Sequence, residues 1–261
     1  MGTEGIVALW ESRRCKKCEG TGSSEKEMLL PTETRLIIVV NGRTMASLSC
    51  FQDDIEVLVL GFLFINGYID QVSQVESLKT TALEKGFEAR VQIHGYDHGT
   101  HGFFWGPHGC QFSDAAGSAH PAVDEEPVFT RRQVLELINA MEEIFIQNPR
   151  HRAAHWYFMA RGNQIKMIKR DIGRNNALCK LIGENLRSRT AMTDSFLLTS
   201  GRVTSEIVNG ACRAQVKVVI SRAGVSTTAV DMAHDSGITI IGYARGREFC
   251  VFSHSWRVGE E

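Results

Sequence analysis

A chain of 261 residues with 43% hydrophobic content can bury a sizeable core, as one large domain or two small ones. Its net charge of −1 gives no electrostatic basis for binding nucleic acid or a membrane surface. No apolar run is long enough to span a bilayer, and seven cysteines without a disulfide framework suit a reducing cytosol.

The N-terminus, MGTEGIVALWESRRCKKC, has a short apolar run placed before its basic residues, which is the wrong order for a secretory signal. Ile6 stands where a myristoylation pattern needs Ser or Thr. Residues 1–28 are polar and read as a flexible tail. Within them Cys15-Lys16-Lys17-Cys18 is a CxxC, a redox pair or half a zinc site, with no second pair at zinc spacing.

Residues 29–108 read as a small α+β domain. LIIVV (36–40) is a β-branched strand, Asn41-Gly42 a hairpin turn, and RTMASLSC the return strand. Asp53 or Asp54 caps a helix over IEVLVLGFLF that ends near Asn66-Gly67. VESLKTTALE and FEARVQIHG are strand candidates. Residues 94–127, rich in Gly, His and Pro, form a long loop that carries the domain boundary at 109–127. His94, His98, His101, His108, Cys110 and His120 fall in it. These are metal-ligand types, but their spacing matches no zinc motif, and a polar loop is the ordinary reading. A metal-binding regulator is the least favoured function on this count. Cys110 is flanked by glycine in that loop, and His108 stands near enough to activate its thiol.

Residues 128–261 read as an α/β domain. Thr130 and Gln133 make a capping box, and Val134, Leu137, Ile138, Met141, Ile144 and Phe145 follow at helical spacing. AAHWYFMA and QIKMIKR pair around Gly162-Asn163, and a helix covers 176–186. Three apolar runs then alternate with helical segments: SFLLTS, VKVVIS and ITIIGYA. Alternation of this kind gives a parallel sheet, and the turns that follow its strands share one edge, where ligands bind. Arg202, Arg222, Arg245 and Arg247 stand in those turns, and their planar forks suit phosphate. Ser226, Thr227 and Thr228 open a helix there, as anion ligands or as caps. The residues therefore point to an anion site for a phosphate-rich small molecule. There is no GxxxxGK[ST], no GxGxxG after a strand, and no His-x-Glu with Pro-Cys-x-x-Cys, so P-loop, ordinary dinucleotide and zinc-deaminase chemistry are not expected.

SGRVTSEIVNGACRA, VKVVISRAGVSTTAVDMAHDSGITIIGYARG and EFCVFSH resemble the C-terminal half of the formate dehydrogenase accessory proteins, the FdhD/NarQ family. ETRLIIVVNGRTM with DDIEVLVLGFLFINGYI, and RDIGRNNALCKLIG, are similar to two further family blocks, in family order. The resemblance implies an α+β part joined to a cytidine-deaminase-like α/β domain. It implies a sulfur carrier (a sulfurtransferase) that takes a persulfide from a cysteine desulfurase through a Cys-Gly-x-Cys loop. The sulfur goes to the molybdenum or tungsten bis-molybdopterin guanine dinucleotide cofactor of formate dehydrogenase. It also implies a cofactor-contacting turn at Tyr243, Ala244, Arg245, Gly246, Arg247 and Glu248, with Asp171 and Arg174 as further contacts, and the strand-ending turns described above add Arg202 and Ser226. Asp171 and Arg174 either orient the pterin or pair with each other.

The chain departs from the pattern at the loop, where WGPHGCQFSDAAG holds one cysteine. By distance to Phe129, Cys110 matches the first family cysteine and Ser113 the second; a neighbouring register puts Cys110 second. Arg152, Asn175 and Cys179 replace family histidine, histidine and aspartate. The rival reading is a divergent paralogue that binds the cofactor or a guanine nucleotide without transferring sulfur. A homodimer is left open.

Overall fold

The computed structural model describes residues 9–96, 129–148 and 151–260. The chain opens with β1 (Trp10–Glu19) and β2 (Gly22–Pro31), paired antiparallel with each other alone. Where composition suggests a tail, the backbone therefore closes a ribbon. Its foot is held by Trp10, whose ring lies 5.9 Å from that of Phe51. Extension settles the CxxC question. Cys15 and Cys18 are three residues apart on one strand, so they face opposite sides and stand about 10 Å apart. That exceeds the reach of a disulfide.

β3 (Thr34–Val40) and β4 (Arg43–Cys50) form the expected hairpin, with Asn41 and Gly42 at φ 45° and 83° as such a turn requires. α1 (Ile55–Ile65) follows. Asp54 holds the N-cap position without capping: it has φ 55°, and its carboxylate pairs with Lys169 at 2.8 Å instead. β5 (Val75–Leu83) and β6 (Gly86–Ile93) complete a sheet of order β4-β3-β6-β5, in which β3 and β6 run parallel.

β7 (Phe129–Thr130) leads into α2 (Arg131–Gln147), where Thr130 and Gln133 make the reciprocal capping box. Then come β8 (His155–Arg161), β9 (Gln164–Asp171), α3 (Arg174–Arg187), β10 (Phe196–Thr199) and α4 (Ser205–Arg213). β11 (Val218–Ser221), α5 (Thr227–Asp235), β12 (Thr239–Arg245), β13 (Glu248–Val251) and β14 (Val258–Gly259) close the chain. The second sheet has order β13-β12-β11-β10-β8-β9, with β10, β11 and β12 parallel as the alternation of apolar runs predicts.

Neighbouring residues in these strands face opposite ways. Leu197, Val219 and Ile240 pack with α3, α4, α5 and the first sheet, while Leu198, Ile220 and Ile241 pack with α2. The first of these cores runs through both halves of the chain. α1 is apolar all round because it lies between its own sheet and α3. A Cβ on Gly61 would meet the Cys179 carbonyl oxygen at 1.9 Å, and one on Gly183 would meet that of Val57 at 1.8 Å. Two glycines thus let the helix backbones touch. No helix among the described residues is long and apolar enough to cross a membrane.

Candidate functional site

The turns after β10, β11 and β12 are stitched into one rim. Arg222 N donates to Thr199 O (3.0 Å), Val203 N to Gly224 O (3.1 Å), Ser226 N to Val203 O (3.0 Å) and Tyr243 N to Ala223 O (2.9 Å). The buried Ser221 hydroxyl donates to Gly201 O at 2.8 Å, tying the first turn to the second. Arg245 Nε donates to Arg222 O at 2.9 Å, tying the second to the third.

Side chains on the rim divide into two groups. Around Gly201 stand His155, Arg174, Arg202 and Glu206. A Cβ on Gly201 would lie 3.1 Å from His155 Nδ1 and 3.3 Å from Arg174 Cδ, so glycine lets both side chains close over the backbone. Arg174 Nη2 reaches Glu206 at 3.5 Å, and its buried Nε has no hydrogen-bond partner among the described residues. Glu206 also accepts from Asn175 (3.3 Å) and Thr204 (3.4 Å). Burial, and then the neighbouring Arg174 guanidinium, hold His155 below the ordinary histidine value, so the ring is neutral at pH 7.

The second group lies toward α2. Arg222 stacks 5.2 Å from the Phe145 ring with Nε 3.8 Å from Glu142, and Gly246 N donates to the same Glu142 carboxylate at 3.2 Å. Arg247 lies beside Arg131 and Tyr243 in a cleft of about 680 Å³ along β13. Tyr243 is exposed, at φ 53°, where the pairing of β12 with β13 shifts register. A non-glycine residue held there is strained, and the strain turns a flat ring outward beside the arginines. Its hydroxyl comes within 2.9 Å of where a Gly224 Cβ would be.

Several expected site residues are placed otherwise. The four turn arginines share an edge, but Arg222 is turned onto α2. Ala244 is fully buried beneath the turn, and Glu248 pairs with Arg245 across a tight hairpin. The Ser226 hydroxyl accepts from Ala229 N at 3.3 Å, which makes it a helix cap. Asp171 does not pair with Arg174. It is fully buried, and its carboxylate accepts from Phe51 N (3.0 Å), Gly173 N (2.9 Å) and Asn176 Nδ2 (3.0 Å), with Lys180 Nζ at 2.8 Å. It orders the start of α3, which carries Arg174 to the rim. Cys110, His108 and Ser113 lie outside the described residues, as do His98, His101 and His120. His94 pairs with Glu76 at 3.1 Å, and among the described residues no three His, Cys, Asp or Glu side chains gather to hold a metal.

His155, Glu142 and Glu206 are absent from the sequence expectation. His155 had one signal, its place two residues before a strand interior whose neighbours end at the rim. The glutamates had none, since charged residues on amphipathic helices are ordinarily solvated.

The FdhD/NarQ family model matches residues 31–259. The sulfur carrier protein FdhD of Geobacillus kaustophilus is 30% identical over 246 residues, 90% of this chain and 91% of that one. The protein of the same description from Bacillus subtilis is 28% identical over 252 residues, 91% and 93% of the two chains. Among solved structures, a candidate formate dehydrogenase accessory protein from Desulfotalea psychrophila superposes with a TM-score of 0.76 at 22% identity, covering 96% of this chain and all of that one; this likeness speaks to the fold. With a family model spanning nearly the whole described body, the chain belongs to the FdhD/NarQ family.

Proposed function

We propose that this protein is a formate dehydrogenase accessory sulfur carrier. The family match over residues 31–259 is the observation that carries the reading. In it Cys110 is the carrier. Its thiolate attacks the outer sulfur of a cysteine desulfurase persulfide; the donor's S–S bond breaks, a new one forms on Cys110, and the donor leaves as thiolate. His108 serves as proton acceptor for the Cys110 thiol. The loaded sulfur is destined for a bis-molybdopterin guanine dinucleotide cofactor, bound as cargo, in the cytosol.

The rim supports the cargo half of this reading. Arg202, Arg245 and Arg247 supply forks for pyrophosphate, Gly246 leaves the turn open on its outer side, and Tyr243 offers a ring for a guanine base. Arg174 has a buried Nε–H without an acceptor among the described residues, a donor suited to an anion. His155 stays neutral among the arginines and adds no positive charge of its own.

The experiment is incubation of the full chain with a cysteine desulfurase and cysteine, followed by mass detection of persulfide. Cys110 gains one sulfur atom, and Cys110→Ala gains none at the loop and matures no formate dehydrogenase. Full maturation by Cys110→Ala removes Cys110 as carrier, and an unlabelled Cys110 that still binds guanine dinucleotide leaves a cofactor binder without transfer.

A further inference from the structure

A second cleft, of about 1000 Å³, opens at the opposite edge of the larger sheet, where β10 and β11 begin and α3 and α4 end. Nothing in the family pattern or in the rim accounts for it. Three independent features mark it.

First, both helices end on a non-glycine residue in the left-handed conformation, Arg189 at φ 53° and Gln215 at φ 56°, and both line the cleft. The turns are closed by Thr190 N to Asn185 O and Val216 N to Ala211 O, each 2.9 Å. Glycine is the ordinary residue at that position, and a side chain there is strained. Second, two buried polar atoms in the lining have no hydrogen-bond partner among the described residues. One is Oδ1 of Asn185, a residue 2% exposed. The other is Nε of Arg213, whose side chain is 9% exposed. Leaving such groups unmatched is unfavourable. Third, among the described residues Arg187, Arg189 and Arg213 face a single lining carboxylate, Asp70. Arg213 pairs with Asp70 at 3.0 Å and Arg187 with Glu184 at 2.8 Å, while Arg189 has no ion pair among the described residues. Arginines in a last helical turn also complement the helix dipole, but that role explains neither the strain at Arg189 nor the unmatched atoms.

We propose that this cleft binds a small organic oxyanion, a carboxylate or phosphate monoester on an apolar body that also carries a hydroxyl or amine. Arg189 and the Arg213 Nε–H take the oxyanion, Asn185 Oδ1 accepts from the hydroxyl or amine, and Phe64, Ile182, Leu186 and Met192 pack the body. The site is separate from the rim and does not depend on the sulfur-carrier reading.

Calorimetric titration of the full chain with 4-hydroxyphenylacetate, 4-hydroxyphenyl phosphate and neutral 4-cresol tests it. At least one oxyanion binds saturably, which tells the carboxylate source from the phosphate one, and 4-cresol binds at least tenfold more weakly. Arg189→Gly relieves the left-handed strain, so it folds; it weakens oxyanion binding about tenfold, and Arg189→Asn, also tolerant of this conformation, does the same. Arg202→Ala at the rim leaves the Arg189-dependent binding unchanged. Absence of saturable binding by either oxyanion up to about 10 mM, equal binding of 4-cresol, or binding lost in Arg202→Ala but kept in Arg189→Gly overturns the proposal.

Discussion

Lys180 and Asp171 form an ion pair at 2.8 Å with both side chains fully buried. Lys180 also reaches Asp53 at 2.6 Å, and Asp171 takes the Phe51 N–H, so the pair ties the corner between β4 and α1 to the start of α3. Removing one member strands a charge in the core. Asp171→Asn is therefore expected to lose about 3–5 kcal/mol of unfolding free energy, read by urea denaturation. Replacing the pair together (Asp171→Leu with Lys180→Met) recovers only the part of it due to the stranded charge, because the Phe51 and Gly173 N–H groups then lose their buried acceptor. A single-variant loss below about 1 kcal/mol would place the pair in effective contact with water.

The same pair sets an alkaline limit. Burial pulls Lys180 downward, but the Asp171 and Asp53 carboxylates outweigh it and hold the lysine above its ordinary 10.5. A base raised in the fold contributes stability that is complete below its unfolded value and is lost as pH rises through the folded one. Tm is expected to fall above pH 10.5 in the parent, and to fall less in the Leu/Met double variant.

Helix contact at Gly61 and Gly183 gives a packing prediction. An added methyl at either meets a carbonyl oxygen of the facing helix at under 2 Å, and backbone cannot step aside as a side-chain tip can. Gly61→Ala and Gly183→Ala are each expected to cost about 3 kcal/mol or more. Gly20→Ala, where nothing lies within 4 Å but φ is 56°, costs about 1 kcal/mol. Equal losses at the three positions would contradict close helix contact.

His155 supplies a prediction on the acid side. Its pKa is lowered, chiefly by burial and then by Arg174, so the unfolded chain binds the proton more readily than the folded one. Stability therefore rises with pH through this window: it is complete above about 6.5 and is lost as pH falls from there toward the folded value. His155→Gln is expected to flatten the dependence of Tm on pH below about 6.5. An NMR titration placing the folded His155 above 6.5 would reverse the sign.

How much of this was legible in the sequence depends on the range of the force involved. Asn41-Gly42, the Thr130/Gln133 box and the apolar period of α2 are local devices, and each stands where the pattern places it. The parallel strands β10, β11 and β12 follow from alternation. What pattern could not supply was pairing between distant charges. Asp54 looks like a helix cap, yet Lys169 reaches it from 115 residues away. Asp171 and Arg174 look like neighbours in one site, yet one faces Lys180 in the core and the other faces Glu206 at the rim. Composition reads residues 1–28 as a tail, whereas the backbone of 10–31 pairs as a ribbon whose foot Trp10 sets against the distant Phe51.

Arg202 and Arg222 divide binding from support on the rim. Arg202 is exposed, so its loss removes a fork and little packing. Arg222 lies on Phe145 beside Glu142, so its loss removes packing and leaves a carboxylate unpaired. Inorganic pyrophosphate, which has no base or pterin, isolates the anion contribution. Arg202→Ala is expected to weaken its binding tenfold or more, since a charge-assisted hydrogen bond contributes about 1.5–3 kcal/mol, with Tm within about 2 °C of the parent. Arg222→Ala is expected to lower Tm more than it lowers affinity. Raised salt weakens pyrophosphate binding in the parent more than in Arg202→Ala, because the exposed guanidinium is the one that salt screens. The opposite assignment, with affinity lost at Arg222 and stability lost at Arg202, would make Arg222 the anion ligand and Arg202 the support.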